Sequence, residues 1–274
     1  MQYADAQQAA GLAMALGWVL VAVVLCARQA GLVTLGPALH HGLRLPGPVL
    51  WGSGAAVALY AAQSVVVDAV EDAPNRVTVL DRPVLDWMVA HRSPGLTAAM
   101  EAVSRWGGTN GTLLLAGAAV VVLLVARRAA DAAAVAVATA GVAVLVPLFK
   151  DVYGRSRPPV ATRLAVEPDA SLPSGHALGA LVIVGIVAVV LVPALRAAWL
   201  RVAVVAAAAA VVLTISLSRL YLGVHWATDV LTSWTLGGAW LAAVVTAWWW
   251  AAVRTPRRPA APGRPAARTR SPQG

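Results

Sequence analysis

The stretch 218–229 reads Ser-Arg-Leu-Tyr-Leu-Gly-Val-His-Trp-Ala-Thr-Asp between two long apolar segments, and three of its side chains can do chemistry. On a helix that begins near His225, Asp229 lies four positions on and on the same face, so its carboxylate can accept a hydrogen bond from one imidazole nitrogen. That fixes the tautomer. The other nitrogen is left unprotonated and more basic, the state of a histidine nucleophile or base. Arg219 supplies a permanent, forked cation suited to phosphate-like oxyanions. A His/Asp pair by itself would equally suit a polar membrane-edge loop with a satisfied histidine, so the reading rests on what accompanies it.

Two further stretches carry matching chemistry. Lys150, the only lysine in the chain, ends an apolar segment seven residues before Arg157-Pro158. Pro173-Ser174-Gly175-His176 stands immediately before the apolar run 177–192, which places Ser174 to cap a helix whose first turn holds Gly175 and His176. Free backbone N–H groups and the positive end of the helix dipole attract an anion there, and Gly175 carries no side chain to block its approach.

Together these residues resemble the type 2 phosphatidic acid phosphatase family, whose pattern is Lys-x6-Arg-Pro, then Pro-Ser-Gly-His, then Ser-Arg-x5-His-x3-Asp. Lys150, Arg157 and Pro158; Pro173, Ser174, Gly175 and His176; and Ser218, Arg219, His225 and Asp229 match all eleven fixed positions in order. Each would be met by chance about once in twenty at average residue usage. The resemblance implies a catalytic core over about 76–253, in which His225 forms a phosphohistidine, Asp229 orients it and His176 protonates the leaving oxygen. It further implies that Lys150, Arg157, Ser174, Gly175 and Arg219 hold the phosphoryl oxygens. The same superfamily includes soluble vanadium haloperoxidases, whose related site holds vanadate.

Composition settles the environment. Apolar residues make up 59% of the 274 and charged residues 12%, which places the chain in a membrane. The formal charge of +9 comes mostly from arginines in short connectors and in the last twenty residues, so it reports orientation in a bilayer, and no nucleic-acid motif accompanies it. Cys26 is the single cysteine and excludes an intrachain disulfide. The expected fold is all-α: a polytopic transmembrane bundle of six core helices, seven in total, with amphipathic surface helices.

Segments 49–70, 112–126, 132–149, 177–195, 199–217 and 230–253 are the expected core spans, and 9–27 an additional one. Between 71 and 108 charged residues recur among apolar ones at helical spacing, which predicts two amphipathic helices on the membrane surface, starting at Asp81-x-Pro83 and Ser93-Pro94. His40 and His41 read as an interfacial pair in a connector, since no Cys or carboxylate stands near them to complete a metal site. Asp151, Glu167 and Asp169 read as solvated loop charges. Trp226, next to His225, is expected either to pack at the opposite membrane interface or to shape the pocket, while Trp240, Trp248, Trp249 and Trp250 are expected at an interface. The expected organisation is therefore an N-terminal span and connector over 1–48, a membrane-embedded core over 49–253, and a disordered Arg/Pro-rich tail over 254–274.

Alternating helix directions bring Lys150, His176, Ser218 and His225 to one membrane face. Arg127, Arg128, Arg196, Arg201 and the tail fall on the other, which the positive-inside rule makes cytoplasmic. The expected protein is thus an integral enzyme of the cell membrane, with its site on the extracytoplasmic face and its C-terminus inside. Its substrate is a lipid phosphate monoester or diphosphate and its other partners are membrane lipids, with no cofactor, no metal and no nucleic acid. Two alternatives stand beside it, a non-catalytic lipid-headgroup binder and a vanadate-dependent haloperoxidase. Turnover by the purified protein separates the first, and the lipid-embedded composition disfavours the second. A channel or transporter would place ionisable groups at mid-membrane depth, whereas these cluster at helix ends. Neither the particular lipid nor the oligomeric state can be read from the motifs.

Overall fold

The computed structural model describes residues 47–254. They form eight α-helices: α1 Gly47–Glu71, α2 Asp81–Ala90, α3 Pro94–Gly107, α4 Thr109–Val125, α5 Ala129–Tyr153, α6 Gly175–Leu191, α7 Ala198–Tyr221 and α8 Ala227–Arg254. No strand occurs among the described residues, as expected where lipid offers the backbone no hydrogen-bond partner outside a helix. Five helical stretches are long and apolar enough to cross a membrane: Leu50–Glu71, Ala129–Tyr153, Gly175–Ala194, Ala198–Tyr221 and Ala227–Ala251.

The sixth expected core span, 112–126, falls on α4. α3 and α4, bent by 48° at Gly108, satisfy the length and hydropathy of a span only when taken together. The charges of α3 hide this from composition, and α4 has only 17 residues. α3, expected as an amphipathic helix on the membrane surface, runs into α4 across this bend, so the pair has the length of one broken span or of a re-entrant turn. The start of α3 is where the sequence put it, with the Ser93 side chain accepting the amide of Leu96.

The core lies where α5, α6 and α8 meet. Val135, Ala138, Leu178, Val182, Ile183, Ile186 and Leu236 are all buried there, with Ala116 and Leu123 of α4 added at one side. α1 lies along α8, and the two approach closely over small residues, Gly52 against Thr246 and Gly238 against Leu59. α2 presents Leu85, Val84 and Met88 inward on the expected face. Arg92, in the turn between α2 and α3, donates to the carbonyls of Tyr221 (2.7 Å) and Thr162 (2.8 Å), tying that turn to the end of α7.

At the other end of the bundle Arg128 pairs with Asp131 (2.5 Å) and donates to the Val190 carbonyl (2.7 Å). Trp248 donates to Asp131 (2.8 Å) and Trp240 to the Ala138 carbonyl (3.0 Å). These two tryptophans therefore bind α8 to α5, a contact that the expected interfacial belt did not include. The 9–27 segment, the His40/His41 connector and the tail beyond 254 lie outside the described residues.

Candidate active site

The three motifs converge at one end of the bundle. α5 carries Lys150 in its last turn and is closed by Gly154 in the left-handed conformation. The connector that follows brings Arg157 inward, and Ser174 caps α6, its hydroxyl facing the amide of Ala177 (3.5 Å). α7 ends on Arg219 and Tyr221, and a tight turn through Gly223 delivers His225 to the start of α8. Gly223 has φ of +67° and a Cβ there would come within 2.3 Å of the Thr162 carbonyl oxygen, so conformation and space both require glycine.

His225 is buried, with 2% of its surface exposed. Its Nδ1 lies 3.3 Å from Asp229 Oδ2, the contact expected from their spacing, and its Nε2 lies 3.1 Å from Nη1 of Arg157. An arginine can only donate, so this network assigns the proton to Nδ1 and leaves the Nε2 lone pair facing the cation. Burial opposes charge on the ring, the Asp229 hydrogen bond favours it, and Arg157 and Arg219 oppose it again. The balance pushes the His225 pKa down to about 4, so the ring is neutral at physiological pH.

The cations are buried and occupied. Asp169 accepts from Lys150 Nζ and from Arg157 Nη2, each at 2.6 Å. Arg157 also donates to the Val224 carbonyl at 2.7 Å. Arg219 pairs with Glu167 and donates to Ser104 Oγ (2.5 Å), while its Nε has no partner although it is buried. Asp169, half-exposed, and Glu167, a quarter exposed, are thus loop charges engaged on the site cations rather than free in solvent. Burial opposes the charge on each, but hydrogen bonds from Lys150 and Arg157 outweigh it for Asp169 and hold it at about 2. Arg219 likewise keeps Glu167 below the usual carboxylate range. Asp151 is exposed, as expected.

A cleft of about 340 Å3 opens beside this cluster where α3 breaks into α4, lined by Ser104, Arg105, Asn110, Glu167, His176 and Arg219 among others. Gly108, at the break, lies against His176: a Cβ there would stand 3.0 Å from Nε2. At the start of α6, the Ser174 amide donates to Ser233 Oγ (2.8 Å) and the Ser174 hydroxyl is spent on the cap. A Cβ on Gly175 would meet Val146 at 3.2 Å, so packing against α5 is a second reason for glycine, beside the approach of an anion.

Three residues outside the motifs join the site. Ser171 and Arg155 both hydrogen-bond the Asp229 carboxylate, and Asp81 pairs with Arg155 at 2.7 Å. Of the two readings of Trp226 the structure favours the pocket over the interface: it is buried at the site, with its indole donating to the Ser156 carbonyl (2.9 Å) and the Arg155 guanidinium 5.8 Å from its ring centre. The sequence signal for Arg155 was its position between Lys150 and Arg157, in a connector that already carried two site cations.

Comparison with known proteins places this arrangement. The PAP2 superfamily model matches residues 131–253, which include all three motifs. Phosphatidylglycerophosphatase B of Bacillus subtilis (strain 168) is 30% identical over 166 residues, 60% of this chain and 80% of that protein. The chain belongs to the PAP2 superfamily. A crystal structure of a transmembrane PAP2 type phosphatidylglycerolphosphate phosphatase from Bacillus subtilis superposes with a TM-score of 0.66 at 25% identity, covering 74% of this chain and 98% of that one. With the spans described above, this makes the PAP2 chain an integral membrane protein with an all-helical fold. The PAP2 match begins in α5, so α1 to α4, including the face of the cleft formed by α3, lie outside it.

Proposed function

We propose that the protein is a membrane lipid phosphatase that hydrolyses a phosphate monoester or diphosphate through a phosphohistidine at His225. The observation that carries this reading is the neutral His225 ring, anchored at Nδ1 by Asp229 and presenting Nε2 to Arg157 inside a cluster of three buried cations. In the proposed reaction Nε2 attacks phosphorus in line, the phosphorus–oxygen bond to the lipid breaks, and His176 protonates the departing oxygen. Water then attacks the phosphohistidine, His176 takes the water proton, and phosphate and free His225 are released. Lys150, Arg157 and Arg219 neutralise the equatorial oxygens, with the amides at the start of α6 beside them. The unpartnered Nε of Arg219 is a donor that a phosphoryl oxygen would satisfy.

The two similar proteins point to phosphatidylglycerol phosphate as the first substrate to try. Purified protein should release phosphate from it, and from a panel with phosphatidic acid and a polyprenyl diphosphate, and should keep that activity in EDTA because cations line the site. No release from any lipid phosphate would leave the headgroup-binding reading; activity abolished by EDTA and restored by Mg²⁺ would overturn the metal-free mechanism.

The site is proposed to face outward. Arg127, Arg128, Arg196 and Arg201 lie at connectors away from the motifs, and the tail is arginine-rich. A reporter fused after Arg254 should be cytoplasmic and one inserted near Asp169 should be exported. The reverse labelling would put the chemistry on the cytoplasmic side.

A further inference from the structure

Arg155 is the largest fully buried side chain in the described residues, and all five of its N–H groups are used. Nε donates to the Arg76 carbonyl (3.0 Å), and Nη2 to the same carbonyl (2.6 Å) and to Asp81 Oδ2 (2.7 Å). Nη1 donates to Thr228 Oγ1 (2.8 Å) and to Asp229 Oδ1. Asp81 has no exposed surface and is equally satisfied: Oδ2 also accepts from Thr78, and Oδ1 accepts the amide (3.0 Å) and hydroxyl (2.8 Å) of Thr228. A continuous buried chain therefore runs from the start of α2 through Arg155 to the carboxylate that orients His225.

Asp229 is not held by His225. Its Oδ2 accepts from Ser171 Oγ and from the Trp226 amide (2.8 Å), and the bond from His225 (3.3 Å) is the longest it makes. Arg155 and these two donors fix the carboxylate, and the histidine conforms to it. Tying α2 to α8 would need no charges, since apolar residues of similar volume do that at least as well. Charge in this place has an electrical effect on the ring beside it.

We propose that Arg155 and Asp81 are positioning residues that, through Asp229, set how strongly His225 holds a proton and hence its reactivity as a nucleophile. This rests on the proposed role of His225. Asp81, Arg155 and Asp229 together carry one net negative charge. Removing the Asp81 charge leaves Arg155 to neutralise Asp229 fully, so His225 should release its proton more readily. Removing the Arg155 charge leaves two carboxylates, so His225 should hold its proton more tightly. The other charged or titratable groups around the ring are Lys150 on α5, Arg157, Glu167 and Asp169 on the connector, His176 on α6 and Arg219 on α7. All are unchanged in both variants.

The test is the pH dependence of phosphoenzyme formation from one lipid phosphate by the purified full-length protein, for the wild type, Asp81→Asn, Arg155→Gln and the double variant. The wild-type rate should fall as His225 becomes protonated. Asp81→Asn should move that acid limb down, and Arg155→Gln up, each by about half to one pH unit, and the double variant should return toward the wild type. If Arg155→Gln does not fold, Arg155→Lys, which keeps the charge, should leave the limb near its wild-type position while Asp81→Asn still lowers it. Limbs that stay fixed, or move in the same direction, overturn the proposal and leave a purely structural tie. A wild-type protein that forms no phosphoenzyme overturns the role of His225, and the proposal with it; a normal wild-type phosphoenzyme with unshifted variants overturns the proposal alone.

Discussion

His225→Ala should lose the phosphoenzyme entirely and lower turnover on the order of 10⁴-fold or more, the scale seen when a covalent nucleophile is removed. Nε2 of His225 is the atom that faces Arg157 from a buried, neutral ring. His176→Ala should behave differently. His176 lines the cleft beside the cations, where a leaving group would depart, so its loss should cost about 10²–10⁴-fold with a lipid alcohol and much less with a leaving group that is stable as an anion. Acid quench of both variants with labelled substrate distinguishes them. Trapped phosphoenzyme in His225→Ala would refute the assignment, and equal losses on good and poor leaving groups in His176→Ala would remove its role as acid.

Arg219→Lys should reduce turnover by about 10²–10³-fold while leaving the protein folded. The substitution keeps one positive charge but not the fork. In the structure one nitrogen binds Ser104, another pairs with Glu167, and Nε is buried without a partner, an arrangement that a single ammonium cannot reproduce. Vanadate, which can take the five-coordinate geometry of phosphoryl transfer with His225 on its axis, should inhibit the wild type far more strongly than inorganic phosphate. In Arg219→Lys its affinity should fall in parallel with the rate. A variant that loses vanadate affinity but keeps its rate would show that Arg219 binds the ground state only.

Much of the site was legible in the sequence because its chemistry is local. His225 and Asp229 are four apart on one helix start, Ser174 caps its own helix, and Lys150 and Arg157 share one connector. Their convergence followed from helix direction alone. What sequence could not show are the partners brought in from far along the chain. Asp81 reads as an ordinary acid in a first helical turn, and only the docking of α2 beside Thr228 turns it into a buried counter-ion. Glu167 and Asp169 are indistinguishable in sequence from solvated loop acids until the connector folds back over the cations. The span at 112–126 was legible, but its join to α3 was not, because hydropathy averages over a window and Glu101 and Arg105, which line the cleft at the break, lower that average.

The two carboxylates over the cations bear on how turnover ends. Asp169 and Glu167 are tethered to the same connector and stand against Lys150, Arg157 and Arg219, so on the proposed mechanism an arriving phosphate would exchange with them, three cations against two carboxylates. An internal competitor of this kind acts at a high effective concentration that no dilution reduces. It weakens the hold on every anion alike, but a lipid substrate is confined to the bilayer beside the site and keeps a high local concentration there, which free phosphate does not. On the proposed mechanism, Asp169 and Glu167 would therefore favour release of inorganic phosphate by taking its place on the cations.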